Sequence, residues 1–311
     1  MLPGRFCRIS EKTDGMKNNS LLKIKSYTRE SIKRSLFLGC IFFLFTFLAL
    51  LTGCIHKKEI RNVNALGREE IIIARRGYWG KFPESSLIGY REAKKIGAKL
   101  SADVLLTKDH QWVMLHDYNL KRLYCTNKNI SELTYEEVSQ ILFCGPLAEE
   151  FDVGGIPLLK EYLDEFGSQT VEIEIKPMDN WPKEVQKKAL DDLYFLAQPY
   201  LETLYFTSFS LNTILSLKSL DKNIKGGLVV HTQENLDQAI KNSELIDIMS
   251  IRYQLVTDES GKKLNEKKVH FWVYDMGRKI RKQNIKKLLK FRPAGFVVSY
   301  PIYTAEVLSG L

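Results

Sequence analysis

Beyond residue 70 the chain repeats one polarity pattern: a short apolar run, a turn, then a longer run with apolar positions three and four apart. Ile71 to Ala74 is β-branched and apolar enough to be a parallel strand buried on both faces. Gly77 marks the turn that follows. Pro83 and Glu84 open a run in which Leu87, Tyr90, Ala93 and Ile96 share one helix face, and Gly97 stops it. In the next strand Ser101, Asp103 and Leu105 point to one side, because side chains alternate with period two. Thr107 to His110 make a polar turn, and Val113 to Leu115 carry the chain to His116-Asp117. After Tyr118 to Pro157 the alternation resumes with the strand Val171 to Pro177, on which Glu172, Glu174 and Lys176 share a face. A helix over 183–198 follows. Strands are predicted at Leu204 to Phe209, Gly227 to Val230, Ile246 to Ile251, Val269 to Tyr274 and Gly295 to Val298, with a short last helix from Ile302. Such alternation, with polar groups where strands stop, predicts an α/β fold: a (β/α)8 TIM barrel with an insertion after the second strand.

The first 69 residues obey another pattern. Lys23, Lys25, Arg29, Lys33 and Arg34 precede an uncharged apolar stretch, Leu36 to Leu51, and Lys57 and Lys58 follow it. The charge-free span from Ser35 to Ile55 is long enough to cross a bilayer as a helix. The expected organisation is a basic region over 1–33, an apolar signal or transmembrane segment over 34–54, a polar tether over 55–69 and the barrel over 70–311. Under the positive-inside rule the barrel lies outside the cytoplasm, with the membrane as a partner through the N-terminus.

Charge changes the picture by where it sits. Residues 1–61 hold 12 Lys/Arg against 4 Asp/Glu, and the remaining residues 34 against 33. The net +9 therefore belongs to the extension and is no nucleic-acid footprint on the folded domain. Cys125 and Cys144, inside the insertion, fit either a disulfide, which an extracytoplasmic location permits, or two free thiols.

Several segments together resemble the glycerophosphodiester phosphodiesterase family: Arg75-Arg76-Gly77, Pro83-Glu84-Ser85-Ser86, Gly97-Ala98 through Asp103-Val104 to Thr107-Lys108-Asp109, His116-Asp117, Glu174-Ile175-Lys176, Ser208-Phe209 and Tyr300-Pro301. The resemblance covers about residues 70–301. Separately, Leu51-Thr52-Gly53-Cys54 resembles a bacterial lipoprotein signal, the alternative being an uncleaved anchor with an incidental Cys54. What the family resemblance implies is a metal-dependent phosphoric diester hydrolase releasing glycerol 3-phosphate. Asp103 and Glu174 match ligands of a Mg or Ca ion, and His116 matches the second catalytic histidine. Arg76 matches a phosphate-contacting arginine, Glu84 a polar residue supporting the substrate site, Lys176 the lysine after the ligand glutamate, and Trp272 an aromatic pocket wall, the alternative for Trp272 being ordinary core.

Two departures fall on the chemistry. Arg75 stands where the family has its first histidine, and Ser101 where it has a further carboxylate; the spacing from Gly97 to Asp103 is also one residue short. An arginine keeps its proton at any working pH and cannot be a general base. Together the two changes swing the site by two charge units, which lets the Arg75 guanidinium take the cation's place against Asp103 and Glu174. Glu172 then needs an inward partner, Lys176 or Arg75. His231 and His270 match no catalytic position and read as surface or packing residues. Three functions follow: a phosphodiesterase of low or altered activity, a binding module for a glycerophosphodiester or other phosphate-bearing molecule without metal, or a structural lipoprotein. The charge argument favours the second.

Overall fold

The structure, a computed structural model, describes residues 62–65 and 68–311. The basic region, the apolar segment with Cys54 and most of the tether lie outside the described residues. Among the described residues no helix is long and apolar enough to cross a membrane. Packing begins upstream of residue 70. Val63 is buried, and the Asn64 side chain accepts from the Ile72 N–H at 2.7 Å and donates to the Gly97 carbonyl at 2.9 Å.

Eight parallel strands close into a ring. They are β1 (Ile71–Arg75), β2 (Lys99–Leu106), β4 (Thr170–Ile175), β5 (Tyr205–Ser208), β6 (Lys225–Val230), β7 (Ile248–Arg252), β8 (Phe271–Tyr274) and β9 (Gly295–Val298), with β1 pairing both β2 and β9. The run expected at Val113 to Leu115 is β3 (Trp112–Met114), an antiparallel hairpin partner of β2 outside the ring. The helices are α1 (Leu87–Lys95), α2 (Lys121–Tyr124), α3 (Tyr135–Ser139), α4 (Leu159–Phe166), α5 (Lys183–Ala197), α6 (Leu211–Lys218), α7 (Gln233–Lys241), α8 (Asp258–Glu266), α9 (Lys282–Leu288) and α10 (Pro301–Ser309).

Period-two alternation explains the layers. On β1, Ile72 and Ala74 face the helices, whereas Ile73 joins Val171, Val229, Ile248, Trp272 and Val297 inside the ring. The outer layer is the larger core. In it Tyr90 of α1 packs on Tyr162 and Phe166 of α4 at centroid distances of 4.6 and 5.8 Å. Such aromatic pairs add ~0.5–1.5 kcal/mol each beyond their buried area. α1 starts at Ser86, whose Oγ accepts from the Gly89 N–H at 3.1 Å.

Register decides which polar groups meet. β2 and β4 shift register between Leu100 and Ser101: Leu100 pairs with Thr170 but Ser101 with Glu172, leaving Val171 as an extra residue on β4. From there Asp103 pairs with Glu174. This bulge aligns the polar positions of the two strands despite the short Gly97–Asp103 spacing.

The insertion over 118–157 forms its own apolar cluster, in which Leu120, Leu123, Tyr124, Ile130 and Val138 pack on Leu105, Val113 and Leu115. Cys125 and Cys144 are joined as a disulfide, which decides between the two expectations for them. Closing a loop of this length limits the unfolded chain by ~2–4 kcal/mol. The Cys125→Ser/Cys144→Ser double variant should lose about that much in urea unfolding, and reductant should lower wild-type stability alike. A wild type insensitive to reductant would contradict the pairing.

Candidate functional site

At the C-terminal ends of the strands the inward positions change from apolar to charged. β1 ends with Arg75 in register with Ser101. Arg76 then adopts a left-handed φ of 52°, which costs a residue bearing a side chain ~1 kcal/mol or more. Hydrogen bonds hold it there: the Arg76 N–H donates to the Ser101 carbonyl, and the Arg76 carbonyl accepts from the Ser85 N–H, both at 3.0 Å. Gly77 has a φ of 80°, and a Cβ there would stand 2.8 Å from the Gly89 carbonyl carbon. The turn thus requires glycine for space as well as conformation.

Asp103 is the hub. Its Oδ2 accepts from Arg76 Nε at 2.8 Å, and its Oδ1 pairs with Lys176 Nζ at 2.7 Å. Lys176 Nζ also donates to Glu174. On the other side Arg76 Nη1 donates to Glu84 Oε1 at 2.7 Å, and Arg122 Nη1 donates to Glu84 Oε2 at 2.6 Å. Arg122 also pairs with Asp117, whose second oxygen meets His116 Nδ1 at 2.5 Å. A continuous chain of charges therefore runs from Glu174 to His116.

Burial pushes the Asp103 carboxyl up, but Lys176 and Arg76 outweigh it and hold the group well below the usual carboxylate range. For Glu174, burial prevails over Lys176, is reinforced by Asp103, and raises the pKa to about 7. Burial also lowers His116, against the pull of Asp103 and Asp117. Glu172 accepts from Ser101 Oγ at 2.7 Å and from Thr207 Oγ1 at 3.0 Å. Burial lifts its pKa above the ordinary glutamate value of 4.5.

A cavity of about 980 Å³ opens above this network. Of the expected site residues, Arg75, Arg76, His116, Glu174 and Lys176 line it. Asp103 and Glu84 are buried beneath, 3 % and 2 % exposed, and do not reach its surface. Glu84 is therefore no direct substrate contact, since both its oxygens are taken by arginines. Trp272 is not the aromatic wall. It is 2 % exposed and packs inside the ring against Tyr205, with centroids 5.2 Å apart. Tyr274, two residues further along the same face of β8, reaches the cavity in its place.

Arg75 does not take a cation's position against Asp103 and Glu174; Lys176 and Arg76 do. Its guanidinium lies 5.5 Å from the ring centroids of both Trp79 and Tyr274, and its one protein hydrogen bond among the described residues is to the Asp275 carbonyl at 3.3 Å. Of the cavity's arginines and lysines, Arg76, Arg122 and Lys176 each hold carboxylates. Arg75 forms no ion pair among the described residues, and Asp103, Asp275 and Glu174 act on it only at longer range. Nor does Glu172 pair with Lys176 or Arg75; two hydroxyls satisfy it.

The expected Mg or Ca ion meets a poor donor set. Both oxygens of Asp103 and one of Glu174 are already bound to side-chain cations, and the Arg75 charge adjoins them. Among the described residues no group of three or more His, Cys, Asp or Glu side chains is placed to share an ion. As arranged, the residues do not fit a divalent cation.

Arg122, Asp117, Trp79, Tyr274 and His231 are the site members that sequence reasoning passed over. Asp117 had a signal, since it belongs to the His116-Asp117 motif, and Arg122 follows it within the same short segment. His231 had none, because it lines the cavity from the far side of the ring. Tyr118, Phe209 and Met276 give the mouth an exposed apolar rim.

The glycerophosphoryl diester phosphodiesterase family matches residues 76–301 of the chain. A glycerophosphodiester phosphodiesterase of Caldanaerobacter subterraneus subsp. tengcongensis is 25 % identical over 240 residues, covering 74 % of this chain and 94 % of that protein. A lysophospholipase D of Homo sapiens is 38 % identical over 117 residues, 35 % of this chain, and the match spans only 37 % of that relative's length. Among solved structures, the glycerophosphodiester phosphodiesterase of Thermotoga maritima superposes with a TM-score of 0.61 at 20 % identity, covering 76 % of this chain and 98 % of that one. A phosphodiesterase of Oleispira antarctica, solved with the product sn-glycerol-3-phosphate, superposes with a TM-score of 0.62 at 20 % identity, covering 76 % and 96 %. These structural likenesses bear on the fold.

Two outcomes follow from the charge arrangement. Because the folded-state pKa of Glu172 is raised, its contribution to stability is complete below pH 4.5 and is lost as pH climbs through the folded value. Glu172→Gln should remove that loss, so its melting temperature relative to wild type should be higher at pH 8 than at pH 5. An unchanged difference would refute the raised pKa. Lys176→Ala frees Glu174 and one oxygen of Asp103, so millimolar Ca or Mg should raise the variant's melting temperature by a few degrees and leave the wild type unmoved. Equal shifts in both would show that Lys176 does not exclude the ion.

Proposed function

The chain belongs to the glycerophosphoryl diester phosphodiesterase family, and from that premise we propose that it recognises a glycerophosphodiester through its own side-chain cations in place of a divalent metal. Hydrolysis, on this reading, is slow or absent. The observation that carries it is Arg75: a buried guanidinium at the cavity wall with no carboxylate partner among the described residues. An unpaired charge in such a place is costly, and a planar guanidinium is well shaped to donate to two phosphate oxygens. The ligand's phosphodiester supplies the missing anion. Arg76 and Lys176 neutralise Asp103 and Glu174, which would otherwise repel it. The apolar rim of Tyr118, Phe209 and Met276 would face the organic part of the ligand.

The proposed location is the outer face of a membrane, with the barrel tethered by the apolar segment over 34–54 as a lipoprotein or a signal anchor. The Cys125–Cys144 disulfide supports an oxidising compartment. The chemical role is then capture or slow turnover of phospholipid headgroup derivatives outside the cell.

A second reading retains one observation in its favour. His116, oriented by Asp117 at the cavity edge, is placed as a general acid would be. On that reading the protein is an active Mg- or Ca-dependent hydrolase releasing glycerol 3-phosphate and an alcohol, and Lys176 must leave the carboxylates for the ion to enter.

Calorimetry of the full chain with glycerophosphocholine, with Mg, Ca or EDTA present, separates the two. Binding should be the same in all three conditions. Arg75→Gln should weaken it roughly 10–100-fold, since a charge-assisted hydrogen bond contributes ~1.5–3 kcal/mol. Rapid release of glycerol 3-phosphate that requires metal and stops in EDTA would overturn the metal-free reading.

A further inference from the structure

His231 follows the last residue of β6, and in the ring β6 stands opposite β1, four strands away in either direction. The side chain lines the same cavity as Arg75 and His116. Its Nδ1 lies 2.9 Å from the Tyr274 hydroxyl, and that hydroxyl donates to the Val230 carbonyl at 3.3 Å. A phenol has one proton to give. In the tautomer with the phenol proton on Val230, the Tyr274 oxygen accepts from His231 Nδ1 and the imidazole lone pair is on Nε2. His231 Nε2 has no protein hydrogen bond among the described residues. Tyr274 is also the ring over which the Arg75 guanidinium sits, at 5.5 Å. One tyrosine thus joins Arg75 to a histidine whose Nε2 is uncommitted.

We propose that His231 is the proton acceptor for hydrolysis of a phosphodiester bound on Arg75, filling from β6 the role that an arginine at position 75 cannot fill from β1. The inference rests on the phosphodiester reading above and adds the residue that would give the site its slow turnover. Water attacks phosphorus, forming one P–O bond, and its proton passes to His231 Nε2. The P–O bond to the alcohol breaks on the opposite side, and the departing alkoxide takes the Nε2 proton of His116 in its imidazolium form, whose charge Asp117 balances. Both histidines then exchange protons with solvent, and nothing is oxidised or reduced. The two imidazoles occupy different walls of the cavity, as an in-line displacement requires of its base and acid.

The surroundings of His231 keep it unprotonated near neutral pH. Burial lowers its pKa from the ordinary 6.5, and Arg252 from β7 and Arg75 from β1 act in the same direction. Tyr274, from β8, is held protonated by burial and so remains a hydrogen-bond partner and not a charge.

The test uses the full chain in detergent with glycerophosphocholine in EDTA, following choline release and, separately, calorimetric binding. His231→Ala should lower kcat by ~10²-fold with KM within about threefold, and added imidazole should restore part of the rate. The wild-type fall in kcat on the acid side should disappear in the variant, and His270→Ala, on the exposed segment before β8, should behave as wild type. A raised KM with kcat unchanged would make His231 a binding residue and overturn the proposal, as would kcat equal to wild type. Binding with no turnover in the wild type would refute the role of His231 and leave the phosphodiester reading standing. Neither binding nor turnover would sink both.

Discussion

The ammonium of Lys176, placed between Asp103 and Glu174, is the contact on which the charged end of the barrel depends. Two carboxylates withdrawn from water cost several kcal/mol each unless cations and hydrogen bonds replace the lost solvation. Lys176 reaches both, and Arg76 takes the remaining oxygen of Asp103. This ties the ends of β1, β2 and β4 together across register positions that the β4 bulge aligns. It also sets the sign of what remains. With the carboxylates matched by Lys176 and Arg76, Arg75 is left over, and the cavity is electropositive at one point on its wall.

The strain at Arg76 belongs to the same arrangement. Its left-handed backbone turns the side chain under the strand ends, where it holds Asp103 and Glu84 at once. Glu84 in turn fixes Arg122, and Arg122 fixes Asp117 beside His116. The histidine's orientation is thereby coupled to a turn more than thirty residues earlier in the chain. The wall formed by β6 and β8 is different in kind: it offers aromatic and imidazole groups and no carboxylate.

Much of the fold was legible because strand periodicity survives in the local sequence. Ile71 to Ala74 and the Glu172, Glu174, Lys176 face identify strands and their inward side without further information. Depth along a strand is less legible. Trp272 and Tyr274 share a face, and only the assembled ring shows that the first lies in the apolar interior and the second at the cavity. Partner choice is harder still. Arg75, Arg76 and Lys176 carry the same charge, and nothing local says which of them reaches Asp103. His231 was invisible because its relation to Arg75 runs through Tyr274, across the ring. The apolar segment and Cys54 were read from charge and hydropathy alone, and they lie outside the described residues.

The hydroxyl contact between Ser101 and Glu172 limits what position 101 can hold. A glutamate at 101 would set its carboxylate against Glu172, whose Oε2 now receives the Ser101 hydroxyl at 2.7 Å. Two buried carboxylates that close cannot both ionise, and one would be forced to hold a proton. Acquiring a third acidic group at 101 in one step therefore gains little negative charge and loses a hydrogen bond. A full negative charge at 101 needs a neutral residue at 172, and that change by itself leaves Ser101 and Thr207 with an altered partner. Through this hydrogen bond each position constrains which residues the other can accept.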